Sequence, residues 1–163
     1  MQNITVRKLK LIALDKNLNV NSDAYKFIKD STYAQYRALN KSMSFMIYTY
    51  YKYNDLKSKE YKEEVKNFKY NKSNPYFSDI EFGTGIDTLS SVSQKIKSDF
   101  SIALKNGLAK GERSCTNYKR TFPLMTRGRN LNIYRQDVNV YIKWVNNIIF
   151  KVIIGRKDKV YIE

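Results

Sequence analysis

Between Asn106 and Arg135 the sequence runs NGLAKGERSCTNYKRTFPLMTRGRNLNIYR, with Lys110, Arg113, Lys119, Arg120, Arg127, Arg129 and Arg135 set against one acidic residue, Glu112. Ammonium and guanidinium groups at this density release condensed counterions from a polyanion. Tyr118 and Phe122 stand among them, and aromatic rings give unpaired bases a surface to stack on. Gly107, Gly111 and Gly128 loosen the backbone around the charges. Lys110, Arg113, Asn117, Lys119, Arg120, Arg127 and Arg129 are candidate nucleic-acid contacts, with Lys119, Arg120, Arg127 and Arg129 expected on phosphate and Tyr118 as a candidate stacking residue. Arg7, Lys8 and Lys10 near the N-terminus are expected to line the same groove.

The other chemistries open to a chain this size find little to work with. There is no histidine, which removes the commonest general base and metal ligand. The single cysteine, Cys115, cannot form a disulfide within the chain or a four-thiolate zinc site. Metal-dependent nucleases need convergent carboxylates, but Glu60, Glu63, Glu64, Asp79, Glu81 and Asp87 fall on a charged helix, in a loop or at a helix start. No phosphate-cradling glycine loop ending in Lys-Ser or Lys-Thr is present, and Ser114 has no histidine to activate it. The expectation is a binding protein with no catalytic residues, no metal and no cofactor.

The whole chain supports a polyanionic partner. Its 163 residues carry 30 Lys and Arg against 15 Asp and Glu, a net charge of +15. A surplus of that size concerns partners and solubility rather than fold, and nucleic acid is the leading partner. A hydrophobic fraction of 42% is enough to build a core. No apolar run approaches the roughly 20 residues that span a bilayer. The opening MQNITVRKLKLIAL places its charges inside the apolar stretch, unlike a signal peptide. No membrane partner and a cytoplasmic location are expected.

These residues need elements to hold them. Thr5 to Leu14 reads as a strand. Asn21 or Ser22 can cap a long helix reaching about Tyr53, with Tyr25, Ile28, Thr32, Tyr36, Leu39, Met43, Met46 and Tyr50 as one stripe. Another face carries Gln35, Arg37, Asn40 and Lys41, open to phosphate or simply to water, with Arg37 and Lys41 as the candidate nucleic-acid contacts. A second helix is predicted from Ser58 to about Tyr70, with Tyr61, Val65 and Phe68 on one side. Asn71 to Gly85 contains Pro75, Gly83 and Gly85 and reads as a loop. Asp87 is placed to cap a third helix through Leu104, burying Leu89, Val92, Ile96, Phe100 and Leu104, and Gly107 suits the left-handed position after it. Its opposite face carries Ser90, Ser93, Gln94 and Lys97, which can enter a groove and donate to base edges or phosphates.

Downstream, Leu131 to Tyr134 and Val138 to Val145 read as strands, the second alternating Val138, Val140, Ile142 and Trp144 against Asn139, Tyr141 and Lys143. Asn146-Asn147 can supply the positive φ angles of a tight turn, with Ile148 to Ile154 as the returning strand. The first strand most economically pairs with the last ones. The predicted class is α+β: a small antiparallel sheet or barrel interrupted by a helical lobe, an architecture that commonly binds oligonucleotides. The boundaries expected are 1–20 and 113–163 for the sheet and 21–112 for the helices.

Five stretches, ITVRKLKL, QYRALNKSMSFM, LSSVSQKIKSDF, NGLAKGERSCTNYKRTFPLMTRGRNL and YIKWVNNIIFKVIIG, resemble the N-terminal half of miniature type V-F CRISPR effectors, most closely the clostridial ones. They occur in the same order at both ends of the chain, and only about Tyr50 to Phe82 departs, with a shorter helical excursion. The resemblance implies an oligonucleotide-binding-type wedge interrupted by a recognition domain. It also implies a structured guide RNA as partner, contact with a target DNA duplex beside a short motif, and pairing as a homodimer or with an intact effector protomer. In such effectors base pairing reads the sequence and the protein reads shape and the short motif. The family's RuvC-like nuclease and zinc-binding segments lie beyond what this chain matches, so cleavage by the family mechanism is not expected. A fragment of an effector and a free-standing short protein, such as a phage-carried inhibitor that occupies the guide RNA or replaces one protomer, both fit. A general basic RNA-binding protein is the plainest alternative.

Overall fold

The computed structural model of the chain describes residues 6, 8–114 and 116–155. Of the expectations above, those on Arg7, on Cys115 and on residues 156–163 lie outside the described residues. Two compact units form, one from Met1–Phe27 with Gly128–Glu163, the other from Ile28–Arg127. The sheet unit therefore resumes at Gly128, not at the expected residue 113, and residues 113–127 belong with the helices.

In the sheet unit, strands β1 (Lys10–Leu14), β2 (Asn132–Gln136), β3 (Asn139–Lys143) and β4 (Ile149–Ile153) form a four-stranded antiparallel sheet in the order β1-β4-β3-β2. The first strand does pair with the last, Leu11 opposite Val152 and Ala13 opposite Phe150. The described strands make an open sheet, and the fold is α+β. Asn146 and Asn147 both take positive φ, 57° and 58°, and Trp144 N–H bonds the Ile148 carbonyl at 2.8 Å. Asparagine tolerates this left-handed region better than most side chains, so the pair turns the chain tightly as predicted.

The strict alternation expected of β3 does not hold. Val138 lies in the β2–β3 turn beside Asp137, whose φ is 53°, and is 87% exposed. Tyr141, expected on a polar face, is buried with Leu14 and Ile149 and stacks on Tyr134 at 5.5 Å. Val140, on the opposite face, is buried as well. Near the start of helix α1 (Ser22–Tyr53), Phe27 meets Trp144 edge-on at 5.6 Å. Asn21 Oδ1 accepts from Ala24 N–H at 3.1 Å, the N-cap that fixes the start of α1.

In the helical unit, α1 is followed by α2 (Lys59–Asn67) and α3 (Thr88–Lys105). The α1 stripe is buried from Leu39 to Tyr50, but it is broader than its apolar residues suggest. Ser31, Gln35, Ser42 and Thr49 are buried too. Ser42 and Thr49 hydroxyls return to the carbonyls of Ala38 and Phe45 at 2.7 and 2.8 Å, which satisfies polar atoms inside the core. Tyr25, expected in the stripe, is 48% exposed and accepts the Ala13 N–H through its hydroxyl.

Ser58 caps α2 by accepting from Tyr61 N–H at 3.1 Å. The helix ends at Asn67, three residues before the expected Tyr70, because Phe68 turns to extended backbone. That turn lays its ring on Phe45 at 4.0 Å. The predicted loop 71–85 is not merely a connection: a 3-10 turn at Pro75–Phe77 buries Phe77 and Ile80 in the same core. α3 buries Leu89, Val92, Ile96 and Phe100 as expected, with Ala103 in place of the half-buried Leu104. Asp87 stands at its start without making a side-chain capping bond. Gly107 follows α3 at φ 98°, where a Cβ would lie 2.6 Å from Glu112 Oε2.

Candidate nucleic-acid interface

The basic stretch is held on the helical unit by two side-chain amides of α1. Asn40 donates Nδ2 to the Tyr118 carbonyl at 3.0 Å and accepts the Tyr118 N–H on Oδ1 at 2.9 Å. Gln35, fully buried, donates Nε2 to the Pro123 carbonyl at 2.9 Å and accepts the Met125 N–H at 2.8 Å. Each amide pairs with backbone as a neighbouring strand would, so residues 118–125 form a fixed arm although they have no strand or helix of their own.

Tyr118 is the internal anchor of that arm. Its side chain is buried, its ring meets Phe122 edge-on at 5.7 Å, and its hydroxyl donates to Asp99 Oδ2 on α3 at 2.6 Å. Burial, reinforced by the Asp99 carboxylate, pushes its hydroxyl far above the ordinary tyrosine range. The expectation that Tyr118 offers a stacking face is thus corrected: the ring is packed inside. Asp99 also pairs with Lys95 at 3.2 Å.

After Tyr118 a short turn, closed by Phe122 N–H on the Lys119 carbonyl at 2.9 Å, carries two exposed cations. Lys119 lines a cleft of about 400 Å³ together with Lys95, Asp99, Asn117 and Phe122. Arg120 lies over the Tyr33 ring of α1, its guanidinium carbon 4.7 Å from the centroid. A second cleft of about 420 Å³ is lined by Ser91, Gln94, Lys95, Met125, Thr126 and Arg127. Lys95, common to both clefts, is missing from the sequence-predicted set. Of the α3 face expected around Ser90, Ser93, Gln94 and Lys97, Gln94 borders the arm and Ser90 meets Arg127, joined by the unpredicted Ser91 and Lys95. Tyr33 was missed as well, since nothing local reports that an arginine 87 residues away reaches its ring.

Three predicted phosphate contacts have internal partners. Arg37 donates Nη1 to the Asp79 carbonyl at 2.9 Å and pairs with the Asp79 carboxylate. Lys41 reaches Asp79 Oδ1 at 2.5 Å and the Tyr76 carbonyl at 2.9 Å. The Lys41 bond, with help from Arg37, holds the Asp79 carboxyl below its usual range. Arg127 pairs with Asp87 at 3.6 Å and donates to Ser90, whose hydroxyl it occupies. These side chains tie loop and arm to the helices, so the expectation that they face phosphate freely is corrected.

Lys110, Arg113, Asn117, Gln94 and Lys97 are exposed on the helical unit, and Ser93 is half-buried. Lys8, Lys10 and Arg129 are exposed on the sheet unit. The structure therefore places Asn117 and Lys119 with Lys95 at one cleft, Gln94 and Arg127 with Lys95 at the other, and Arg120 over Tyr33. Among the described residues no three His, Cys, Asp or Glu side chains converge to hold a metal, and no helix is long and apolar enough to cross a membrane. No protein-family model matches the chain, and no curated protein matches it.

Proposed function

We propose that this chain is an RNA-binding module that grips structured RNA, by its resemblance the guide RNA of a miniature type V effector, without cutting it. The observation that carries the reading is the clamped arm. Gln35 and Asn40 fix the backbone of 118–125 against α1, so that Lys119 and Arg120 stand exposed on a rigid support. Cations held this way lose little conformational freedom on meeting phosphate, which favours recognition of a shaped polyanion over loose charge attraction. The net charge of +15 supplies long-range attraction to the same partner. In this reading the antiparallel sheet belongs to an oligonucleotide-binding-type wedge, and Lys8, Lys10 and Arg129 are the candidate nucleic-acid contacts of the sheet unit.

The test is binding of the guide scaffold to the chain carrying Lys119→Ala and Arg120→Ala. Loss of two phosphate contacts weakens binding and lowers the slope of log K against log salt by about 1.5. Unchanged affinity across the titration removes the arm from the interface. Equal binding of unrelated structured RNAs reduces the reading to a general basic RNA-binding protein.

A further inference from the structure

Tyr33 sits on α1 one turn before Arg37, with 42% of its surface exposed. Two guanidiniums approach its ring, Arg120 at 4.7 Å and Arg37 at 5.8 Å, and the Tyr36 ring stacks beside it at 6.0 Å and 28°. Arg37 is oriented by Asp79, as described above, and so supports the ring from a fixed position. Arg120 forms no ion pair among the described residues and is exposed.

We infer that Tyr33 and Arg120 together form a stacking platform that holds an unpaired nucleotide of the bound RNA. The inference rests on the RNA-binding reading and adds the class of nucleotide and the residue that selects it. Bases stack on tyrosine rings and on guanidinium planes alike, and cation–π attraction keeps ring and guanidinium together before RNA arrives. The base lies on the aromatic and guanidinium surface, and the adjoining phosphate meets the Arg120 charge and that of Lys119 on the same turn. Paired bases present no free face to such a platform, so duplex RNA gains only the phosphate contacts. The platform takes over the role expected of Tyr118, which is buried.

The test compares the intact chain with its Tyr33→Ala and Tyr33→Phe variants on two probes. One is a blunt RNA hairpin; the other is the same hairpin with a short single-stranded tail containing 2-aminopurine. Wild type binds the tailed hairpin more tightly and quenches the fluorophore by stacking. Tyr33→Ala loses roughly five- to hundred-fold on the tailed hairpin, binds the blunt one as before and no longer quenches. Tyr33→Phe retains affinity and quenching, because the ring and not the hydroxyl is used. Equal wild-type affinity for the two hairpins, with no quenching, overturns the platform and leaves RNA binding through the arm standing. So does an equal loss on both probes in a Tyr33→Ala protein with an unchanged melting temperature. If Tyr33→Ala does not fold, the wild-type quenching and the tail preference decide alone. Binding of neither hairpin by wild type overturns the RNA reading itself.

Discussion

A single hydroxyl shows how charge chemistry was turned to structure in this chain. Tyr118 donates to Asp99 from a buried position, and removing it by Tyr118→Phe should cost about 1–2 kcal/mol near neutral pH, measured by urea unfolding. The same group makes a pH signature. Its folded pKa is raised by burial and by Asp99, so its contribution is present in full below the unfolded tyrosine pKa of about 10. Above that pH the unfolded chain releases the proton and the folded chain keeps it. Stability then falls as pH rises, by up to about 1.4 kcal/mol per pH unit from this residue. Tyr70, pushed up to about 12 by burial, adds to the same decline. Unfolding curves collected from about pH 9 upward should be steeper in pH for wild type than for Tyr118→Phe; parallel curves would show that Tyr118 is not the group responsible.

At the scale of elements, the arm depends on α1 more than on its own sequence. Gln35→Leu fills a similar volume but leaves the Pro123 carbonyl and the Met125 N–H without their partner. The expected loss is about 2–3 kcal/mol, with the Met125 amide exchanging faster in hydrogen-exchange measurements while the α3 core amides hold. Gly107→Ala is the counterpart at the end of α3. A side chain at φ 98°, with its Cβ 2.6 Å from the Glu112 carboxylate, should destabilise by at least about 1 kcal/mol in thermal unfolding. Such local rules explain which elements were legible in the sequence. Asn21, Ser58, Gly107 and the Asn146-Asn147 pair act within a few residues of themselves, so the starts, stops and turn they specify could be placed. The pairing of the first strand with the last followed from hydrophobic pattern and economy. What the sequence hid is set by distant partners. Gln35 and Asn40 look like a polar helix face until the arm lies on them. Tyr118 looks like a stacking ring until Asp99 and Phe122 enclose it, and Arg37, Lys41 and Arg127 look free until Asp79 and Asp87 meet them.

The charge of the whole molecule permits a sharper division among its cations. All 30 Lys and Arg contribute to attraction at a distance, but only those that replace counterions at phosphates set the salt slope of binding. Lys119 and Arg120 stand exposed, whereas Lys41 and Arg127 are engaged with Asp79 and Asp87. Turning an engaged cation toward RNA would require breaking its carboxylate pair and leaving that acid beside the phosphates. Lys41→Ala and Arg127→Ala should therefore leave the slope of log K against log salt unchanged, while each lowers the melting temperature through the lost ties to loop and arm. Lys119→Ala and Arg120→Ala should do the reverse, each reducing the slope by about 0.7–0.9 with little change in melting temperature. Tyr33→Ala belongs to neither group. Stacking releases no counterions, so its loss of affinity should persist at high salt, where the electrostatic part has faded. Measuring all five variants across one salt series separates structural cations, phosphate contacts and the stacking ring. A lower slope for Lys41→Ala or Arg127→Ala would mean that those side chains leave their carboxylates when RNA binds.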